Sequence, residues 1–230
     1  GSRGAKNSLL VGEVMDVEEM DAAASKSAMV SCSLALSRLE LAVIFDDFDL
    51  AGEILSEAPD VLKLRPGHFS GCRFTFYEYL TSVKLARRGS KKSACWSKRA
   101  NAAMKQIEMW VKEGNVNCNH LLPLVAAEYA LMKGKKKLAR KNFNRVVNEA
   151  ESGSYYLQDK AISLECAANF YHMEGDIDKA FSSHEKCRNL WSEYGAAAKV
   201  KAMDVYSGYW SIPETSYHSK IDDSLRGDAG

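Results

Sequence analysis

Few side chains in this sequence have the types and the spacing that chemistry requires. Cys118 and His120 form a Cys-x-His pair that could supply two zinc ligands, but no further ligands follow at zinc-site spacing. Asp46, Asp47 and Asp49 form a carboxylate cluster that lacks the glycine and the terminal glutamate of a calcium loop. We therefore expect the histidines to cap helices or lie at the surface, and the aspartates to mark a helix start.

Motifs of known catalytic sites are missing from the sequence. It contains no G-x-x-x-x-G-K-[ST] phosphate loop, no G-x-G-x-x-G dinucleotide turn, no H-E-x-x-H zinc helix and no G-x-S-x-G nucleophile elbow. The sequence therefore predicts a protein that is not an enzyme and that needs no cofactor or metal.

Basic side chains are concentrated in the middle of the chain, where they could bind an anion. Residues 67–145 carry 17 Lys and Arg against 4 Asp and Glu, whereas 1–66 and 146–230 each have a net charge of −6. This distribution predicts a surface for an acidic protein segment, a phosphate-bearing ligand or nucleic acid. Alternatively, these charges form a solvated helix face that meets acidic ends of the same or a neighbouring molecule. The candidate contact residues are Arg87, Arg88, Lys91, Lys92, Lys98, Lys133, Lys136, Lys137, Arg140 and Lys141.

Protein is the favoured partner class. The basic stretches contain few interleaved aromatic residues for base stacking and no finger, RNP or K-homology signature, so nucleic acid is the less favoured alternative. No apolar run approaches the roughly 18 to 20 residues that span a bilayer, and we expect no membrane partner. The six cysteines show no C-x-x-C spacing and fall mostly in apolar helical stretches. They predict buried, reduced thiols in a cytoplasmic protein.

Helical hairpins must position these side chains. Residues 126–139 and 167–180 share the pattern A-A-x-[Tyr/Phe]-x-x-Met-x-Gly-x-x-x-x-Ala, with every matched position offset by 41. In this pattern the first alanine and the aromatic residue lie on one helix, the glycine ends it, and the last alanine lies where a second helix crosses closely. The repeat positions are Ala126, Tyr129, Gly134 and Ala139 in the first copy, and Ala167, Phe170, Gly175 and Ala180 in the second.

The same junction recurs along the chain and predicts the fold class. Junctions at residues 46, 89, 134 and 175 each precede an alanine by five positions, and their spacings of 43, 45 and 41 exceed the roughly 34 of a tetratricopeptide repeat. We predict an all-α fold of antiparallel hairpins stacked into a tetratricopeptide-like right-handed solenoid of about eight or nine helices. Asp176 and Asn119 are expected to cap helices. The predicted helices are 28–45, 48–57, 69–87, 91–113, 120–133, 135–151, 155–174, 177–193 and 196–207.

Domain organisation follows from composition. For residues 1–26 the composition predicts a flexible acidic N-terminus that begins with a Gly-Ser-Arg-Gly tag remnant. For residues 27–208 the sequence predicts a single helical-repeat domain with a possible boundary at 58–68, where Pro59 and Pro66 flank a linker-like stretch. For residues 209–230 it predicts a flexible tail.

The C-terminal third resembles one family. Residues 161–171, 175–180 and 190–200 are similar to the tetratricopeptide-like region of large signalling proteins that also contain a serine/threonine-kinase-like domain, an AAA- or STAND-type ATPase, a GAF domain and often a histidine kinase. That region closes on aromatic-x-x-Trp-Gly-Ala-x-Ala-Lys-Val. Trp191 fills the aromatic position, Tyr194 replaces the usual tryptophan, and the matching positions are Gly195, Ala196, Ala198, Lys199 and Val200. The resemblance implies a connector between an ATPase switch and an output domain.

The closing motif also has a physical interpretation. Gly195 is expected to end one helix, and the small residues 196–198 to let the next helix approach closely as a cap. Met203 and Val200 are expected to face inward, and Lys199 to face outward. The sequence thus predicts a non-enzymatic interaction and relay module of a larger intracellular signalling protein. Its partner would be an acidic segment or a neighbouring domain of the same polypeptide.

Overall fold

All regular structure in the described part of the chain is helical. A computed structural model describes residues 16–58, 60–64, 67–153 and 155–210, and within these ranges no residue lies in a strand. The all-α prediction is confirmed. The helices are α1 (Val17–Ala24), α2 (Ala28–Ile44), α3 (Phe48–Glu57), α4 (Val61–Leu64), α5 (Phe69–Arg87), α6 (Ser93–Lys112), α7 (Leu122–Met132), α8 (Lys136–Ser152), α9 (Leu157–Met173), α10 (Ile177–Tyr194) and α11 (Ala197–Trp210). A 3₁₀-helix (Val116–Leu121) precedes α7.

Two of these helices are not expected from the sequence, which explains why the described residues contain more than nine. Helix α1 packs against α2, and Asp16, which immediately precedes it, accepts a bond at Oδ1 from the backbone N–H of Glu19 at 3.3 Å. Helix α4 is a single turn, and Asp60 Oδ1 accepts from the N–H of Lys63 at 3.2 Å. Both helices are too short to produce a clear apolar period.

The chain divides into two compact units between Tyr155 and Tyr156. The first unit contains α1–α8 and the second contains α9–α11. The segment 58–68 contains α4, which packs against α2 and α5 within the first unit. The single domain predicted for 27–208 stays a prediction, and the predicted tail from residue 211 onwards and residues 1–15 lie outside the described residues.

The predicted hairpin junctions share one backbone conformation. Gly89, Gly134 and Gly175 have φ values of 69°, 68° and 76°, and Asp46, the only described non-glycine residue with positive φ, has 57°. At three of these junctions the next residue donates its N–H to the carbonyl five positions back, as Lys135 does to Ala130 at 2.9 Å. This bond satisfies a carbonyl that the helix end leaves unpaired. The sequence therefore located these helix ends correctly.

The two copies of the repeat pattern differ in burial. Ala139 and Ala180 are fully buried, as a close crossing of the second helix requires. Ala167 and Phe170 are buried on α9. By contrast, Ala126 is exposed and Tyr129 is half-buried on α7. The shared pattern therefore determines the hairpin turn and the burial of its last alanine. It does not determine whether its first alanine and aromatic residue are buried.

Helix α5 is the centre of the first unit. It packs against α2, α3, α6 and α7, and Phe76, Tyr77 and Tyr79 on it are fully buried. The Tyr79 hydroxyl donates to the carbonyl of Val125 at 2.6 Å, which satisfies a polar group that burial would otherwise leave unpaired. This bond fixes the register of α5 against α7.

The two predicted caps differ from the structure. Asn119 lies inside the 3₁₀-helix, and α7 begins at Leu122 without a side-chain cap. Asn115 caps the 3₁₀-helix instead, because its Oδ1 accepts from the N–H of Asn117 at 3.1 Å. Asp176 is at the N-cap position of α10 as expected, but its carboxylate makes no capping bond.

In the closing motif two expectations are confirmed and one is wrong. Gly195 ends α10 with φ 85°, and Met203 is buried, as predicted. Lys199 was expected to face outward, but it is buried and its Nζ lies 2.5 Å from Glu165 Oε1 on α9. The prediction was wrong because a carboxylate on α9 lies within reach of Lys199. A separate, exposed ion pair connects α10 to α11, where Arg188 Nε lies 2.5 Å from Asp204 Oδ1.

Candidate functional site

The packing of α5 against α7 brings two basic turns to the same end of the first unit. Tyr79 lies opposite Val125, and Lys84 and Arg87 lie opposite Glu128. Both helices therefore run in the same direction, and their C-terminal ends are neighbours. The chain reverses direction after α5 and again after α7, so the α5–α6 turn and the α7–α8 turn lie side by side.

We call the Lys and Arg side chains at these two turns and on the first two turns of α6 and α8 the basic end, except Arg99, which pairs with Glu78 of α5. Of the candidate contact residues, only Arg87 lies outside it, since Arg87 points to Glu128. Most of these side chains are exposed, and Arg140 is half-buried. The basic end consists of Arg88, Lys91, Lys92, Lys98, Lys133, Lys135, Lys136, Lys137, Arg140 and Lys141.

Arg87 instead belongs to a buried ion cluster. Glu128 is almost completely buried on α7, and its two carboxylate oxygens accept from Lys84 Nζ at 2.7 Å and from Arg87 Nη1 at 3.1 Å. A buried carboxylate is tolerated only when it is paired in this way. Arg87 therefore ties α5 to α7, and its placement supports a structural role.

The described part of the chain neutralises the basic end only in part. Arg88 pairs with Asp49 of α3 at 2.5 Å, so one cation does meet an acidic neighbour. Lys133 Nζ lies 5.2 Å from the ring centroid of Tyr129. Six further exposed lysines form no ion pair with any described residue. They are Lys91, Lys92, Lys98, Lys135, Lys137 and Lys141.

The helix N-termini add to the positive potential. Lys92 and Lys135 occupy the N-cap positions of α6 and α8, neither helix has a side-chain cap, and neither has an acidic residue in its first turn. The N-terminus of a helix carries a partial positive charge, so lysines there repel it and lower stability. The two helix starts and the unpaired lysines therefore concentrate positive charge on one surface, which an anionic partner would neutralise.

The possible zinc pair has a structural explanation. Cys118 is fully buried, and burial next to Cys72 raises the pKa of the Cys118 thiol to about 12, so it is held as a neutral thiol. The ring of His120 stacks on Tyr155 with centroids 4.8 Å apart. Among the described residues no group of three His, Cys, Asp or Glu side chains could hold a metal ion. Five cysteines are buried as expected, and Cys95 is exposed.

The aspartate cluster marks a helix start, as the sequence indicates. Asp47 Oδ1 accepts from the N–H of Leu50 at 3.2 Å and so caps α3. Asp49 pairs with Arg88. The capping role expected for histidine is found at His68, whose Nδ1 accepts from the N–H of Ser70 at 3.1 Å.

The burial of Glu128 and His184 was not predicted from the sequence. Glu128 is one of only four acidic residues between 67 and 145, and it lies within the apolar run of α7. A single acidic residue that lies on an apolar helix face, within a segment that is otherwise basic, indicates a buried ion pair. His184 is buried on α10 beside Lys199, and nothing in its local sequence distinguishes it from a surface histidine.

Comparisons with known proteins give no match: no family model fits the chain, and neither a curated protein nor a solved structure is significantly similar to it. A separate finding concerns membranes. None of the helices in the described ranges is both long enough and apolar enough to cross one.

Proposed function

We propose that this chain is a protein-interaction module whose basic end binds an acidic segment of a partner protein. The observation that carries the proposal is the set of exposed lysines on two adjacent turns that have no acidic partner among the described residues. Keeping like charges together lowers stability unless something compensates for their repulsion. An acidic segment, from another protein or from a neighbouring domain of the same polypeptide, would provide that compensation.

The architecture that we propose for this module is a tetratricopeptide-like right-handed solenoid. Its support is the recurring left-handed junction at residues 46, 89, 134 and 175, together with the buried alanine five positions after three of them, Ala51, Ala139 and Ala180. Stacked hairpins of this kind bind partners along an extended surface without a catalytic pocket. The resemblance of residues 161–171, 175–180 and 190–200 to the helical region of large signalling proteins supports a relay role in a larger intracellular, cytoplasmic signalling protein.

Capture from a native lysate tests the proposal. The bait is the full chain, and the lysate is treated with nuclease and held at physiological salt. The basic-end variant reverses four exposed, unpaired lysines: Lys91→Glu, Lys98→Glu, Lys137→Glu and Lys141→Glu. Glutamate near a helix N-terminus is favourable, so the variant is expected to stay folded. The matched control reverses four exposed lysines elsewhere: Lys26→Glu, Lys105→Glu, Lys112→Glu and Lys201→Glu.

The proposal predicts a polypeptide that the wild-type chain and the control retain in stoichiometric amount and that the basic-end variant loses. The binding region of that polypeptide should be rich in Asp and Glu. Equal retention by all three baits would contradict the role of the basic end. In a parallel capture without nuclease, retention of nucleic acid alone would favour the nucleic-acid alternative, because lysines near helix N-termini also suit phosphate groups.

A further inference from the structure

A groove on the first unit lies between α3 and the start of α6, next to the basic end. Its volume is about 490 Å³, which is within the range of sites that bind small ligands or single side chains. Gly52 faces the floor of the groove: a Cβ there would lie 2.9 Å from Leu85 Cδ1 and 3.3 Å from Trp96 Cζ2. The glycine therefore lets Leu85 and Trp96 pack directly against the backbone of α3.

The floor is aromatic and rigidly held. Trp96 is half-buried, and the guanidinium carbon of Arg99 lies 5.8 Å from its ring centroid. Arg99 is itself fixed, since it donates to Glu78 at 2.5 Å and to the carbonyl of Leu55 at 3.1 Å. An indole fixed in this way offers the remaining part of its surface to an aliphatic or cationic group.

One wall of the groove carries uncompensated negative charge. Asp49, Glu53 and Glu57 line it from α3 at four-residue spacing. Asp49 is neutralised by Arg88, but Glu53 and Glu57 are exposed and form no ion pair with any described residue. Like charges four residues apart destabilise a helix, and Glu57 lies in the last turn of α3, where acids are unfavourable. This arrangement costs stability unless a cation binds between the two carboxylates.

We propose that this groove binds a basic side chain of a partner polypeptide. The aliphatic stem packs on Trp96 and Leu85, and the cationic group lies between Glu53 and Glu57. Arginine fits best, because its planar guanidinium can donate to both carboxylates while its stem covers the indole. Lys92 on the opposite wall is positioned for an acidic residue adjacent in the partner chain.

This inference extends the proposed function, since it supplies a second anchor of opposite charge beside the basic end. None of the lysines reversed in the capture experiment lines the groove. A result that contradicts binding in the groove can therefore be distinguished from one that contradicts binding at the basic end.

The test is a titration of the isotope-labelled full chain, followed through the indole N–H resonance of Trp96. The chain has four tryptophans, and a Trp96→Phe variant assigns the resonance. The probe is a blocked pentapeptide with one central arginine. Its control is the same peptide with citrulline, which keeps the shape of the side chain and removes the charge.

The arginine peptide is expected to produce a saturable shift with a Kd of about 1 mM, and the citrulline peptide none. The double variant Glu53→Gln/Glu57→Gln should weaken binding about tenfold. The matched variant Glu108→Gln/Glu113→Gln, with two exposed acids on and just after α6, should bind like the wild-type chain. No saturable shift, equal binding of the citrulline peptide, or unchanged affinity in the groove variant would overturn the proposal.

Discussion

At the scale of single residues, the buried side chains of Glu128 and His184 are accommodated in two different ways. Both side chains lie close to charged residues, but only one of them is itself held in an ion pair. Glu128 keeps its charge because Lys84 and Arg87 reach it. His184 is held neutral instead, because burial lowers the pKa of its imidazole below the ordinary value of 6.5. The nearby Lys199 and Arg188 lower that pKa further, while Glu185 and Asp204 raise it.

The lowered pKa of His184 predicts a loss of stability in mild acid. The folded state binds a proton at this site less readily than the unfolded chain does. The contribution of His184 to the free energy of unfolding is therefore complete above the pKa that the histidine has in the unfolded chain. It should fall below about pH 6.5, by up to about 1.4 kcal/mol per pH unit from this residue. Urea unfolding of the second unit between about pH 7.5 and pH 5 measures the effect.

A His184→Gln variant should lack this part of the pH dependence. The matched control is His172→Gln, at an exposed position on α9, which should keep it. The pKa of Asp204 is lowered by its bond to Arg188, so its contribution is lost only at pH values below this window. Identical pH profiles for the wild-type chain and His184→Gln would contradict the assignment.

At the scale of helices, the ion cluster of Lys84, Arg87 and Glu128 connects α5 to α7 and so sets the two basic turns side by side. We predict that Glu128→Leu lowers the free energy of unfolding by about 3 kcal/mol, because two cations then remain partly buried without their counter-ion. Replacing all three charges, in Lys84→Met/Arg87→Leu/Glu128→Leu, should recover most of this loss, since apolar residues of similar volume pack well at such sites. Urea unfolding of both variants measures the difference.

A triple variant no more stable than Glu128→Leu would show that packing, and not charge, accounts for the effect. An unchanged stability in Glu128→Leu itself would show that the cluster does not hold α5 against α7. Both results can be read against Arg145→Leu, which removes an exposed cation that pairs with Glu149 within one helix and should change stability by less than about 0.5 kcal/mol.

The ends of helices could be predicted from the sequence, but long-range side-chain pairs could not. Residues 46, 134 and 175 were recognised as helix ends because left-handed turns use few residue types and are determined locally. Lys199 was assigned to the surface because its partner, Glu165, is 34 positions away. The same limit applies to Glu128 and its partners on α5, which lie 41 and 44 positions away.

At the scale of the whole molecule, the sequence shows that charge is distributed in blocks, but not which charges remain unpaired. Arg87 and Lys91 are both part of the basic block, and only packing assigns the first to a buried cluster and leaves the second exposed. The groove beside α3 was not predicted, because Gly52 and Trp96 are 44 positions apart. The surface that we propose for binding is thus a product of helix packing as much as of composition.

A binding titration with a dye-labelled oligoglutamate peptide, read by fluorescence anisotropy, tests the central claim most directly. The wild-type chain and the control variant with reversed Lys26, Lys105, Lys112 and Lys201 should bind the peptide with equal affinity. The basic-end variant should bind at least about tenfold more weakly, a loss of about 1.4 kcal/mol. Equal affinity of the basic-end variant would contradict the account. A single-stranded DNA oligomer of equal charge that binds much more tightly, with a steep salt dependence, would contradict the choice of protein as the partner.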